Sequence, residues 1–361
     1  MLQLLLRRFL PVVASICVAN TALAASLSEY LTTRGQRPNE YILAKLGDHR
    51  IVIAGENHWQ FRDVELIASL VPELRARGIA LAMETLQASS QGDIDALLAA
   101  PEWDEGRANA ILRAANWPYV QYRDILHEVW KTNRAPIDCA PLRIIALGPP
   151  GDFREKKIRY DEFMVDQLRD WLRDSEHGVL VYCGMHHAFT RFQQVDRMID
   201  GRAAQFMDRF GNRLWREYGE DVFLVALHKA DGCGGWGRPF GTLCAPMGGL
   251  IDCAASASGS QPVAFDVAAS PIAELKFPVE SFYAIGHPFA RFIDFADGYI
   301  WFGPVDEIGM VDLIPLAELD PAEVVKAESA ERWRMRVEDF ANPTKRTSWG
   351  SLAKWRDGCA K

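Results

Sequence analysis

Two short segments of the chain carry the same arrangement of groups able to hold or move a proton. Gly55-Glu56-Asn57-His58 and Gly184-Met185-His186-His187 both read G-x-x-H, and each follows an apolar run, Ile51 to Ala54 in one case and Gly178 to Cys183 in the other. A third apolar run, Ile79 to Met83, ends at Glu84. Runs of this kind read as buried strands. Glycine permits a tight exit from a strand, and a histidine three residues on can turn back over the sheet edge. Two imidazoles and a carboxylate gathered there support two kinds of chemistry. His58, Glu84 and His187 could ligate a divalent metal such as Zn, Mn, Co or Fe. The same trio could work without metal, one histidine activating water and a carboxylate orienting it, with Glu56 setting the charge of the site. The candidate catalytic set is therefore His58, Glu84, His187 and Glu56. His186 and His228 are candidates for holding a cofactor.

These groups need a scaffold that brings strand ends together. After the strand ending at Ala54, Val64, Ile67, Leu70, Val71 and Leu74 recur at helical spacing within Asp63 to Arg77, and Gly78 stops that helix. Short helices are expected over Asp93 to Ala100, Gly106 to Ala115 and Tyr122 to Asn133. A strand follows over Leu142 to Leu147 and a helix over Phe163 to Asp174. Beyond the strand ending at Cys183 come a helix over Arg202 to Tyr218 and a strand over Asp221 to Leu227, ending at His228. Strands alternating with helices predict an α/β fold with a mainly parallel sheet flanked by helices. In such a sheet the strand ends point the same way, and ligands bind outside them. Asp152, after a Pro-Pro turn, and His228 also stand at strand ends, but a structural role is the plainer reading of both. Loops are polar in any case, so part of this pattern carries no information.

Past Lys229 the texture changes. The stretch around 229–260 is rich in Gly, Cys and Ser and reads as a long insertion within a single α/β domain spanning 25–361. Short apolar runs follow at Val263 to Val267, Phe282 to Ile285 and Tyr299 to Phe302, and a helix is expected near Pro321 to Phe340. Six cysteines follow residue 24: Cys139, Cys183, Cys233, Cys244, Cys253 and Cys359. An even count in an exported protein predicts disulfides, with at least one inside the loop-rich C-terminal part. Export is the expectation because residues 1–24 combine Arg7-Arg8, an apolar stretch from Phe9 to Ala19 and an Ala22-Leu23-Ala24 cleavage site. The mature chain is expected in the periplasm or secreted, with no transmembrane span. The chain of 361 residues has a net charge of -8 and no Lys/Arg-rich block, which excludes a nucleic-acid footprint and leaves a small-molecule or peptide substrate.

The paired G-x-x-H, with Glu84 at the end of an intervening strand, resembles the group that contains erythromycin esterases, ChaN-type haem-uptake proteins and Tiki/TraB proteases. The resemblance runs from about Arg50 to Leu227, is strongest over "GENHWQFRDVELIASLVPELRARGIALAMET", and includes the Asn116 to Trp130 stretch. In esterase-like members it implies that His58 and Glu84 activate water, with Glu56 and His187 nearby. In Tiki-like members it implies that His58, Glu84 and His187 hold a divalent metal for peptide hydrolysis. In ChaN-like members it implies haem or iron binding. There the chain departs from the pattern, because Trp59 follows His58 and Glu65 stands where a second histidine is common. Esterase-like members carry an arginine in the helix after the first motif, a place Arg62 could fill. Two readings result: an exported ester or amide hydrolase, and a haem- or iron-binding protein of envelope uptake. His287 could line the site from the C-terminal half, while Tyr119 and Tyr122 are expected to pack.

Overall fold

The computed structural model describes residues 21–115, 117–136, 139–200, 202–232, 243–277, 281–305 and 307–315. Residues 1–20 and the expected helix near Pro321 to Phe340 lie outside the described residues. The first helix, α1, covers residues 21–34 and buries Leu27 and Leu31, while Leu23 and Ala24 pack against the same core. Next come α2 (Pro38–Asp48), β1 (Ile51–Glu56), α3 (Phe61–Ala76) and β2 (Ala80–Gln87). Helices α4 (Gln91–Ala99), α5 (Glu105–Ala114) and α6 (Val120–Thr132) lead to β3 (Ile144–Gly148), α7 (Tyr160–Asp174), β4 (Val179–Gly184) and the single turn α8 (Met185–Ala188). A hairpin of β5 (Val195–Ile199) and β6 (Arg202–Phe206) precedes α9 (Phe210–Tyr218) and β7 (Val222–Leu227). The two-residue strands β8 (Asp231–Gly232) and β9 (Leu243–Cys244) are followed by α10 (Leu250–Ala257), β10 (Val263–Asp266), α11 (Phe292–Phe295) and β11 (Gly298–Trp301).

Seven strands form one sheet in the order β10-β11-β7-β1-β4-β2-β3, parallel throughout except for the antiparallel β10–β11 pair. Of the five inner strands, β1, β4, β2 and β7 are buried on nearly every residue, as a sheet covered on both faces demands. One face packs on α1, α7, α9 and α10, and the other on α2, α3, α5 and α6. The register of β1 fixes the site. Glu56 lies level with Gly184 of β4, and Gly55 with Ala226 of β7, so the first and second motifs leave the sheet side by side.

The structure revises several elements. Arg202 begins a strand of the β5–β6 hairpin, and the helix starts only at Phe210; the backbone groups of 202–206 pair across the hairpin. Within the apolar run Phe282 to Ile285, Phe282–Ala284 forms a short 3-10 turn. The insertion around 229–260 is not loop throughout: Leu250, Ile251, Ala254 and Ala255 bury one face of α10 against the sheet. Cys139 and Cys183 are free thiols, and Cys183 is buried inside β4. No helix among the described residues is long and apolar enough to cross a membrane.

Helix α3 is held by its buried stripe of Val64, Ile67, Leu70, Val71 and Leu74. Leu70 is fully buried, so Leu70→Ala is expected to destabilise the domain by about 2–5 kcal/mol through lost burial and a residual cavity, read as a shifted urea-unfolding midpoint.

Candidate functional site

The expected cluster forms at the carboxyl ends of β1, β2 and β4. Glu56 is the last residue of β1 and is almost fully buried. It stays hydrogen-bonded on both oxygens: the Tyr122 hydroxyl donates to Oε2 at 2.9 Å, and His58 Nδ1 donates to Oε1 at 2.7 Å. A carboxylate only accepts, so Nδ1 carries the proton and Nε2 of the neutral ring keeps its lone pair. Asp63 supports this loop from below, accepting from the Asn57 N–H at 3.3 Å. Burial, and then the charge of Glu56, push the Asp63 carboxyl far above its usual range, so it remains protonated.

On the other side His187 makes a matching pair with a residue the sequence did not single out. Its Nδ1 donates to Asp161 Oδ1 at 2.7 Å, and Nε2 stands 3.3 Å from Glu84 Oε1. With carboxylates at both nitrogens, this ring is built to be the imidazolium. Asp161 sits in the first turn of α7, where it also accepts the Phe210 N–H at 2.9 Å and faces the Arg209 guanidinium at 3.4 Å. Tyr160, one residue earlier, stacks on His187 with centroids 4.9 Å apart and donates its hydroxyl to Glu84 Oε1 at 3.1 Å.

Glu84 lies between the two histidines. It is not the last residue of β2, which continues to Gln87, but it occupies the break in the β2–β3 register after Met83. That irregularity turns a strand carboxylate toward β4, where the Gly184 N–H donates to Oε2 at 2.7 Å. Gly184 is required by space. A Cβ there would meet His58 Nε2 at 2.7 Å and Glu84 Oε2 at 3.4 Å. Gly55 is constrained likewise, since a Cβ would run into the Met185 sulfur.

The charges couple across the cluster. Burial alone would lower His58, but the Glu56 hydrogen bond and the charges of Glu56 and Glu84 outweigh it and raise the imidazole above its ordinary value. Burial also opposes His187, and Glu84 with Asp161 overcomes it to give a raised value. Burial favours neutral Glu84, yet His187, His58, the Gly184 N–H and the Tyr160 hydroxyl hold it below the usual carboxylate range. Asp161 is held low in the same way, against burial, chiefly by His187.

Other sequence candidates lie apart from this cluster. His186 turns to Gln194 Oε1 at 3.2 Å, and burial with the Lys229 charge depresses it to about 3, leaving it neutral. His228 is fully buried and locked between Asp252 at 2.9 Å and the Tyr299 hydroxyl at 2.7 Å; it anchors the chain and has no open coordination position. Asp152 pairs with Lys156 at 2.8 Å near the surface. Arg62 pairs with Glu65 at 2.6 Å on the outer face of α3, away from the carboxylates. His287 is half-buried and bonded to the Gln193 carbonyl. Tyr119 packs as expected, whereas Tyr122 both packs and fixes Glu56. Tyr160 and Asp161 were missed because they precede the apolar periodicity of α7. The available signal was an acidic residue in a helix first turn, which ordinarily means only a favourable helix dipole.

A metal held by His58, Glu84 and His187 does not fit this arrangement. Glu84 engages His187, Tyr160 and Gly184 at once, and among the described residues no group of three or more His, Cys, Asp or Glu side chains is placed to hold a metal ion. The aromatic wall offers more. His58 packs edge-on against Trp117 at 4.8 Å, and Trp117 stacks on Trp59 at 5.5 Å with 19° between the rings. Trp59 holds a left-handed backbone at φ 73°. A strap from the C-terminal part secures it: the Val311 N–H donates to the Trp59 carbonyl at 2.9 Å, and the Phe61 N–H to that of Gly309 at 3.1 Å.

Residues 42–156 match the family model described as haem-binding uptake, Tiki superfamily, ChaN, so the resemblance read from the motifs holds over the segment bearing Glu56, His58 and Glu84. No curated protein matches the chain. A Bacillus cereus protein of known structure shares the fold at a TM-score of 0.55 and 10% identity, over 78% of this chain and 97% of its own. A structure described as a succinoglycan biosynthesis protein does so at 0.53 and 8% identity, over 78% and 97%. An erythromycin esterase variant in its open conformation aligns at 0.42 and 10% identity, over 79% of this chain and 99% of that one.

The His187 pair has a thermodynamic signature. Its raised value contributes stability that is present at low pH and lost as pH rises through that value. The lowered Asp161 and Glu84 contribute stability present above the usual carboxylate range and lost as pH falls through their own values. Asp161→Asn removes one of the two charges that raise His187, so NMR titration of the imidazole should show a lower pKa in the variant. An unmoved titration would contradict the pairing.

Proposed function

We propose that this chain is an exported hydrolase-like protein in which His58 activates water for attack on an ester or amide. The observation that carries the reading is that two imidazoles, each oriented through Nδ1 by its own buried carboxylate, converge on Glu84 at the strand ends. Geometry divides the labour. His58 Nε2 has a lone pair, and its side chain is 30% exposed, so water can reach it. His187 faces carboxylates at both nitrogens and is the charged partner.

In the step that follows, His58 takes a proton from water as the oxygen bonds to the acyl carbon and the carbonyl π pair moves to oxygen. Collapse of the tetrahedral species breaks the bond to the leaving alkoxide or amine, which takes a proton from His187 or from protonated His58. Glu56 offsets the charge gained by His58, as a buried carboxylate beside a general base does. Glu84 remains ionised and keeps the imidazolium of His187 in place. Export is supported by the Arg7-Arg8, apolar and Ala-x-Ala sequence of residues 1–24.

A panel of ester, lactone and peptide substrates should find turnover that His58→Ala reduces about 10²–10⁴-fold. Glu56→Gln should move the rising limb of the pH–rate profile to lower pH, because the charge that raises His58 is gone. Parental turnover in His58→Ala would refute the assignment.

A second reading is haem binding. It is favoured by the partly exposed His58 beside the stacked Trp59 and Trp117, a flat apolar surface next to a potential axial ligand, and by the description of the family that 42–156 matches. Haem added to purified protein should then give a shifted Soret band that His58→Ala abolishes. An unshifted spectrum would dismiss this reading.

A further inference from the structure

At the opposite edge of the sheet from the histidines, a cleft of about 390 Å³ lies between the end of α4, the residues just after α6 and the start of β3. β3 runs parallel to β2, so the residues before Ile144 stand at the amino edge, while His58 and His187 stand just past the carboxyl ends of β1 and β4. The volume falls within the roughly 300–1,000 Å³ common for small-molecule pockets. Its walls are fixed by backbone hydrogen bonds. The Asn133 amide donates to the Leu142 carbonyl at 3.0 Å and accepts the Leu142 N–H at 2.7 Å. The Arg143 carbonyl accepts the Leu81 N–H at 3.0 Å, which pins the same segment to β2. Gln91 secures the outer side of β3, donating to the Ile144 carbonyl at 3.0 Å and accepting the Ala146 N–H at 2.9 Å.

The lining combines hydrocarbon with positive charge. Leu98, Ala99, Pro141 and Leu142 supply the apolar part, and Arg134 and Arg143 supply two guanidinium groups. Arg134 is held in place: its guanidinium lies 4.2 Å from the centre of the Trp130 ring, Nη1 donates to the Trp130 carbonyl at 2.9 Å, and Nε to that of Pro101 at 3.4 Å. Its Nη2 donates to no group among the described residues. The Arg143 guanidinium lies 5.8 Å from the centre of the Trp171 ring and has no ion pair or hydrogen-bond acceptor among the described residues. The carboxylate that lines the cleft, Asp95, already accepts the Gln91 amide at 2.9 Å. A guanidinium offers a planar fork that matches a carboxylate through two parallel hydrogen bonds, and the apolar lining favours hydrocarbon beside it. A small hydrophilic anion would leave that lining wet, and an uncharged hydrocarbon would leave the guanidinium groups unanswered. We propose that this cleft is a binding site for an amphiphilic carboxylate, an acid group on a short hydrocarbon chain. Arg143 and Arg134 receive the acid group, and Leu98, Ala99 and Pro141 receive the chain. The site is separate from the His58 cluster and does not depend on the hydrolytic reading.

Calorimetric titration of the full chain with octanoate, and separately with 1-octanol, tests the site without any turnover. Octanoate should bind saturably, and 1-octanol roughly 10- to 100-fold more weakly, because it cannot make the charge-assisted hydrogen bonds. Arg143→Gln should weaken octanoate binding by a similar factor. Ala99→Trp fills the cleft from an exposed helix position without touching a charge. It should block octanoate, and it carries the test if Arg143→Gln does not fold. Absence of saturable octanoate binding in the parent would overturn the site. So would parental octanoate affinity in either variant, or 1-octanol bound as tightly as octanoate. None of these results touches the hydrolytic reading, which the His58→Ala turnover measurement decides separately.

Discussion

A single hydrogen bond, from the Gly184 N–H to the buried carboxylate of Glu84, joins the two halves of the site. It ties the exit of β4 to a side chain of β2, beside the point where the β2–β3 register shifts. A carboxylate placed this deep would ordinarily take up a proton. This one stays ionised because a backbone N–H, a tyrosine hydroxyl and an imidazolium surround it. Once it is ionised, the rest of the arrangement follows. His187 has a reason to stay charged, Asp161 a reason to face it, and His58 a negative neighbour across the glycine that admits both groups.

Carboxylates and imidazoles alternate along the cluster from Glu56 through His58, Glu84 and His187 to Asp161, with His187 the charged ring and Arg209 closing the far end. Such an arrangement keeps buried carboxylates tolerable, since each faces an imidazole that donates to it or carries the opposite charge. It also means that a proton moved at one imidazole is felt at the other through Glu84. The buried groups outside the alternation are held neutral: Asp63 by burial beside Glu56, His186 by burial beside Lys229, and the Cys183 thiol by burial within β4.

Much of this was legible in the residues. The apolar runs located the inner strands, and the doubled G-x-x-H located two of the three strand ends that meet. Glu84 was found for a slightly wrong reason. The run looked as though it stopped at Met83, whereas the strand goes on and only its pairing changes. What stayed hidden depends on long-range contact. Tyr122 reads as a packing residue on a helix until its hydroxyl is seen on Glu56, and Asp161 reads as a helix-start acid until His187 arrives from 26 residues on. The helix expected over 202–218 failed for a local reason. Strand alternation and helical spacing are hard to separate over so few residues, and Gly201 gives no stronger signal than the turn it makes plausible.

The strap that receives Trp59 and Phe61 comes from the last described part of the chain. The loop bearing His58 is therefore completed by residues that follow it by most of the described chain. Such closure over a large sequence separation is slow and entropically demanding. The first motif is thus braced by residues distant from it in the sequence, so a change that loosens the strap loosens the backbone that carries His58 as well.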